Sequence, residues 1–332
     1  MKTNKSCFQI KIISILFCLF TMFLTLAIAQ DVYFAENGSL IKYDVQNKTE
    51  KIFPIQTKEY VSEFSGQVNG NKPLVLLGKP DIKDGYVIEK GVNIAILSSS
   101  GSVEKIIKEN AIRAYPSPSG KSVAIIDLDY SLLIYKGDEL KSISIPGRVV
   151  LVAWSPDETQ LCLTAYSADW SPFKVNNPEN DEEFLRLINS DLWLYDIVAE
   201  KAEKLTDAPR YDYSGIFSPD GKEIFFISSR NGKGAFYIFD LQTKNINQIT
   251  NIEPGSYDVP VGRSDTFVWL KDKNTIVYEA QETVDLSSIR SIKSDGSNPK
   301  FIDYGKQPKL GADGKSVLYL SPEGKVKSTE ID

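Results

Sequence analysis

The chain has 332 residues, no histidine, three cysteines and a formal net charge of −6. Without histidine it cannot build a Ser-His-Asp or Cys-His nucleophile, and it lacks the commonest zinc ligand. The acidic balance argues against general nucleic-acid binding and fits a soluble exported protein.

Residues 1–29 stand apart from the rest. Lys2, Lys5 and Lys11 precede an apolar run from Ile12 to Leu26, and Ala27-Ile28-Ala29 is a small-x-small cleavage pattern. These features predict a secretory signal peptide cut before Gln30. An uncleaved anchor is the competing reading, because Ile12 to Ala29 is 18 residues, near the lower limit for a membrane span. Cleavage removes three lysines and no acid, taking the net charge from −6 to −9. It also removes Cys7 and Cys18, so Cys162 stays without a disulfide partner and reads as a small buried hydrophobe. No Pro/Gly/Ser-rich linker divides residues 30–332, which are expected to form a single domain and a monomer with no membrane span.

Short β-branched and aromatic runs separated by turn residues follow in chain order. The first unit has Val32 to Ala35, Leu40 to Val45 and Lys51 to Phe53. A second, over residues 60–109, is clearest at Leu74 to Leu77 and Asn93 to Leu97. Three more open on Pro116-Ser117-Pro118-Ser119-Gly120, Trp154-Ser155-Pro156-Asp157 and Phe217-Ser218-Pro219-Asp220-Gly221. The last two open on Trp269-Leu270-Lys271-Asp272 and Leu310-Gly311-Ala312-Asp313-Gly314. In the Ser218 turn, Pro presets φ, Asp bonds its own backbone and Gly accepts a positive φ. The repeat suits blades of four strands, a to d, at about 40–50 residues each. One blade cannot bury its own faces, whereas a ring of blades buries them all. The expected fold is an all-β propeller of four-stranded antiparallel blades. It has seven blades, or six if the two incomplete terminal units share one.

Trp154-Ser155-Pro156-Asp157, Phe217 to Gly221, Tyr237-Ile238-Phe239-Asp240 and Gln248-Ile249-Thr250 resemble the repeats of TolB-type, WD-repeat-like β-propellers. That family includes periplasmic TolB and the propellers of prolyl-oligopeptidase-like peptidases. The resemblance implies a fold. It implies neither named function, because strands are expected directly after the leader and no hydrolase domain is expected.

No catalytic residue, cofactor or metal site is predicted. Arginine placement is the strongest functional signal. There are seven Arg against 31 Lys. Arg113, Arg148, Arg210 and Arg263 each precede a strand a, and Arg186 and Arg230 fall between strands b and c. These connections open on one face of a propeller. Arg offers a fork suited to carboxylate or phosphate; the plainer alternative is that each Arg braces a local acid such as Asp207, Asp212 or Asp265. On the same face the insertion Ser167 to Ser190 carries Trp170 and Phe173, and Tyr211 and Tyr213 lie beside Arg210. Aromatics with Arg are typical interface anchors. The expected function is an exported, non-enzymatic propeller, periplasmic or extracellular. It would bind an envelope or extracellular protein, a peptide or an anionic ligand on this face through Arg113, Arg148, Arg210, Arg263, Trp170, Phe173, Tyr211 and Tyr213. The alternative is a carboxylate-based hydrolase or lyase acting at the channel.

Overall fold

The computed structural model describes residues 31–83, 86–87, 90–166, 189–232, 234–251, 259–260, 266–270, 274–283, 285–311 and 313–331. Named secondary structure among them is all β-strand, and none of the described residues forms a helix long and apolar enough to cross a membrane. The N-terminal sheet holds β1 (Val32–Glu36), β2 (Ser39–Asp44) and β3 (Thr49–Phe53). A double sheet follows, with β4 (Val61–Val68), β5 (Lys72–Leu77), β8 (Val92–Leu97), β9 (Val103–Pro116), β10 (Ser122–Asp127), β11 (Leu132–Lys136) and β12 (Glu139–Ile143). The pair β6 (Ile82–Lys83) and β7 (Tyr86–Val87) forms a separate small hairpin. The Trp154 sheet is β13 (Arg148–Trp154), β14 (Gln160–Tyr166), β15 (Ser190–Asp196) and β16 (Lys201–Lys204). The Gly221 sheet is β17 (Asp212–Phe217), β18 (Glu223–Ser228), β19 (Ala235–Asp240) and β20 (Ile246–Asn251). The Trp269 sheet has β21 (Val259–Pro260), β22 (Phe267–Leu270), β23 (Thr275–Thr283), β24 (Leu286–Lys293) and β25 (Lys300–Tyr304). The C-terminal sheet closes the chain with β26 (Lys306–Leu310), β27 (Ser316–Leu320) and β28 (Val326–Glu330).

All strand pairs in these sheets are antiparallel, and the Trp154 and Gly221 sheets are four-stranded as expected. The turn chemistry explains the hairpins. Ser218 Oγ donates to Asp220 Oδ1 at 2.7 Å and accepts the amides of Lys222 and Glu223 at 3.1 and 3.0 Å. Gly221 takes φ 72° and donates its N–H to Ser218 O. Ser155 repeats the arrangement, donating to Asp157 Oδ1 at 2.6 Å and accepting the Gln160 amide at 2.9 Å.

One boundary differs from the sequence expectation. A connection was expected ahead of Arg113, but β9 runs unbroken for 14 residues. Its first half pairs with β8 and its second with β10, so one strand ends one unit and begins the next. The segment Ile106 to Tyr115 contains neither Gly nor Pro to force a turn. The change of direction is absorbed by Asn110, at φ 54°, and by register shifts on both sides.

Apolar faces of successive sheets pack on one another. Cys162, Leu192 and Leu194 of the Trp154 sheet meet Phe217, Ile224 and Phe226 of the Gly221 sheet. Phe225 and Phe236 of the latter meet Phe267 and Tyr278 of the Trp269 sheet, with the Phe225 and Phe267 rings 5.2 Å apart. Each fully buried Phe contributes about 1.5–3 kcal/mol. Phe34 and Tyr43 of the N-terminal sheet pack on Leu318 and Leu320 of the C-terminal sheet, which brings the first and last sheets together.

Candidate functional site

The register sets Arg113, Arg148 and the residues after Arg210 at one end of β10, β14 and β18. Arg113 lies opposite Ile126 near the end of β10, Arg148 opposite Tyr166 at the end of β14, and Asp212, two residues after Arg210, opposite Ser228 at the end of β18. Gly147 allows Arg148 to start there, because a Cβ at Gly147 would stand 2.4 Å from the Tyr166 carbonyl oxygen.

The lead-in to β17 is the most constrained part of this face. Arg210 has φ 75° and Ser214 φ 59°, both in the left-handed region that side chains avoid, and β17 carries a register shift between Tyr213 and Ile216. The surroundings hold it there. Tyr211 forms a parallel bridge with Ser190 of the neighbouring sheet, and its carbonyl accepts the Ser229 amide at 3.0 Å. Ser190 Oγ donates to Asp212 O at 3.1 Å, and the Ser214 amide donates to Thr164 Oγ1 at 3.2 Å. The Asn189 side-chain amide donates to the carbonyls of Ala208, at 3.1 Å, and Arg210. Irregular backbone has no ladder partners, so buried hydroxyls of Thr164, Ser190 and Ser229 supply them.

Most of the described arginines on this face meet acids. Arg230 Nη2 binds Asp212 Oδ2 at 3.0 Å, its Nε donates to Ser228 Oγ at 2.9 Å, and its guanidinium lies over Phe226 and Tyr237 at 5.3 and 4.9 Å. Arg113 Nη2 is 3.7 Å from Glu63 Oε2. In β24, Arg290 binds Glu282 at 2.8 Å. The field of Arg148 adds to the hydrogen bonds from Ser131 that hold the Asp129 carboxyl below the usual range. Arg210 is the exception: its guanidinium meets no carboxylate among the described residues. Beside it, Tyr211 and Tyr213 stand edge to face with ring centroids 5.1 Å apart. Tyr213 leans on the core shared with the Trp269 sheet, and burial pushes its phenol well up. Arg263, Arg186, Trp170 and Phe173 lie outside the described residues, as do residues 167–188 of the insertion.

A second charged group escaped the sequence reading. Asp191 Oδ2 binds Lys204 Nζ at 3.0 Å, and Lys204 also pairs with Asp207. Burial, then the charges of Asp212 and Asp207, push the Asp191 carboxyl up against the pull of Lys204. Asp191 lies inside β15, among residues that read as a strand and nothing more, so nothing in the local sequence marked it.

The opposite face carries clefts of about 340 and 400 Å³. One is lined by Pro156, Asp157, Pro219 and Asp220, the other by Asp220, Glu223, Trp269 and Asn274. Asp157 and Asp220 are engaged in their own turns, and the serine hydroxyls they accept hold both carboxyls low. Among the described residues no group of three His, Cys, Asp or Glu could hold a metal. The Cys162 thiol is fully buried and pushed up to about 12, far from a nucleophile's range.

No family model matches the chain. Over 136 residues, 39% of the chain, it is 26% identical to the Tol-Pal system protein TolB of Helicobacter pylori; that stretch spans 31% of the relative, under a third of its length. The putative TolB structure from Agrobacterium tumefaciens superposes with a TM-score of 0.52 at 16% identity, over 87% of this chain and 96% of that one. Kuenenia stuttgartiensis hydrazine synthase gives a TM-score of 0.60 at 13% identity, over 91% of this chain and 92% of that one. Proteins of unlike name thus share this architecture, so the likeness speaks for fold and not for chemistry. In fold and in its repeats the chain is a TolB-like β-propeller.

Proposed function

We propose that this is an exported, non-enzymatic propeller of seven blades that binds a protein or peptide, through a carboxylate or another anionic group, on the face where strands a begin. The observation that carries this reading is Arg210: a guanidinium without a carboxylate among the described residues, held on constrained backbone beside the Tyr211–Tyr213 pair. Holding the backbone in place before binding lowers the entropy lost on association. Arg148 stands at the same end of the neighbouring sheet, and Arg113, Arg263, Trp170 and Phe173 extend the proposed surface. The curated relative is named as a protein of the Tol-Pal system, which favours a protein partner in the cell envelope. Seven blades are favoured because the N- and C-terminal sheets stay separate and pack face to face.

The test is the double substitution Arg148→Ala, Arg210→Ala. A partner isolated from envelope extract with the exported protein should bind this variant at least tenfold more weakly, with an unchanged melting curve. Equal affinity in a folded variant overturns the reading.

A further inference from the structure

Two clefts on the face opposite the arginines repeat one geometry. Each opens between the turn before strand b of one sheet and the sheet that follows. Asp157 and Gln160 of the Trp154 sheet line the smaller cleft with Asp220. Asp220 and Glu223 of the Gly221 sheet line the larger, of about 400 Å³, with Trp269 and Asn274. Gln160 and Glu223 are the first residues of β14 and β18, and Ser122, Thr275 and Ser316 open β10, β23 and β27 in the same way. Among these strands Glu223 alone puts a carboxylate at this position.

Nothing in its own sheet offsets that charge. Glu223 is half-buried and stands directly opposite Asp240 in the β18–β19 ladder, where like charges are destabilising. Burial, then the charges of Asp220 and Asp240, push its carboxyl up. Asp220 accepts the Ser218 hydroxyl and the Lys222 amide, and Asp240 accepts the amides of Gln242 and Thr243. The Glu223 carboxylate meets neither a donor nor a cation among the described residues. Within the same limit these three carboxylates do not group as metal ligands would. A second polar group of the cleft also lacks a partner. Trp154 donates Nε1–H to Tyr115 O of the preceding sheet at 2.9 Å, whereas the N–H of its counterpart Trp269, which is 7% exposed, meets no acceptor among the described residues. A donor so buried costs stability until an acceptor reaches it.

We propose that the larger cleft receives an arginine side chain from an extended segment of a partner protein. The guanidinium bonds the Glu223 carboxylate beside the Trp269 indole, and the peptide carbonyl next to it accepts the Trp269 N–H. The volume suits a side chain with its adjoining backbone. Arginine fits better than lysine, because its planar fork can bond a carboxylate and stack on an indole at once. The smaller cleft, with Gln160 in the place of Glu223, lacks the charge and is not such a site. This inference rests on the face opposite Arg148 and Arg210 and does not depend on them.

The test titrates the exported protein, expressed from the full sequence with isotope-labelled tryptophan, and follows the Trp269 indole N–H by NMR, identified with Trp269→Phe. The peptide acetyl-Gly-Arg-Gly-amide should shift this resonance to saturation, and acetyl-Gly-Gln-Gly-amide should not. Glu223→Gln, which copies the smaller cleft, should weaken the arginine peptide by about tenfold or more without lowering the melting temperature. Agmatine, a guanidinium without a peptide carbonyl, should bind about fivefold more weakly than the peptide. The double variant Arg148→Ala, Arg210→Ala should bind the peptide as the unaltered protein does. An unmoved Trp269 resonance, equal binding of the glutamine peptide, or equal affinity in folded Glu223→Gln overturns the proposal. Agmatine binding as tightly as the peptide overturns the peptide occupant and gives the cleft to small free cations, and loss of binding in the double variant would put the peptide on the other face.

Discussion

Arg230 Nη2 lies 3.0 Å from Asp212 Oδ2 at a place where 1% of the Asp212 side chain is exposed. A buried ion pair contributes little against a well-packed apolar substitute, but removing one member strands the other. Arg230→Ala should therefore destabilise the fold by about 3–5 kcal/mol in urea titration. Arg230→Lys should recover only part of this, since it cannot keep both the Ser228 bond and the stacking over Tyr237. A loss below about 1 kcal/mol for Arg230→Ala would mean the pair is solvated.

Gly215 is needed for closeness. A Cβ there would stand 2.5 Å from Cys162 Sγ, across the junction between the Trp154 and Gly221 sheets. Gly215→Ala should cost about 1–3 kcal/mol through overpacking. In a Cys162→Ala background the same change should cost clearly less, because the sulfur it strikes is gone. Equal costs in both backgrounds would place the strain elsewhere.

Asp191 gives a pH signature. Burial raises its folded carboxyl above the unfolded value of about 3.9, so the folded state holds the proton more tightly. Ionising Asp191 therefore works against folding, an effect absent below the unfolded value and complete above the folded one. Asp191→Asn should accordingly gain melting temperature relative to the unaltered protein as pH rises from about 3.5 to 7. A constant difference across that range would show that Lys204 fully compensates the burial.

Trp154 ties its sheet to the double sheet by donating Nε1–H to Tyr115 O at 2.9 Å. Trp154→Phe keeps an aromatic ring and deletes that donor, for an expected loss of about 0.5–1.5 kcal/mol. Thermal melts that show no loss would indicate that water replaces the indole.

The architecture was legible because its signal is periodic and local. The Ser218-Pro219-Asp220-Gly221 turn is specified by its own four residues, and the strands beside it by their β-branched and aromatic runs. The long β9 was not legible, because the positive φ that Asn110 takes inside a strand paired on both sides is not marked by the residues around it. On the candidate face, the sequence placed Arg148 and Arg210 near the starts of β13 and β17, though not Arg113, and named Asp212 as a possible arginine partner. It could not tell which arginine would meet an acid. Arg230 finds Asp212 eighteen residues away, across a strand pair, while Arg210 finds none among the described residues. The hydroxyls of Thr164 and Ser190 carried no signal, because their role arises from irregular backbone in a neighbouring sheet.

The meeting of the first and last sheets has a kinetic consequence. Gln307 bonds Ala35 across 272 residues and Lys325 bonds Glu50 across 275, and no strand is shared between the N- and C-terminal sheets. Bringing such distant segments together costs about 5 kcal/mol of chain entropy, none of it repaid until both sheets exist. The junction of Phe34 and Tyr43 with Leu318 and Leu320 should form last in folding and part first when the protein is stressed. In native-state hydrogen exchange, β1 and β2 should open at a lower free energy than β18 and β19.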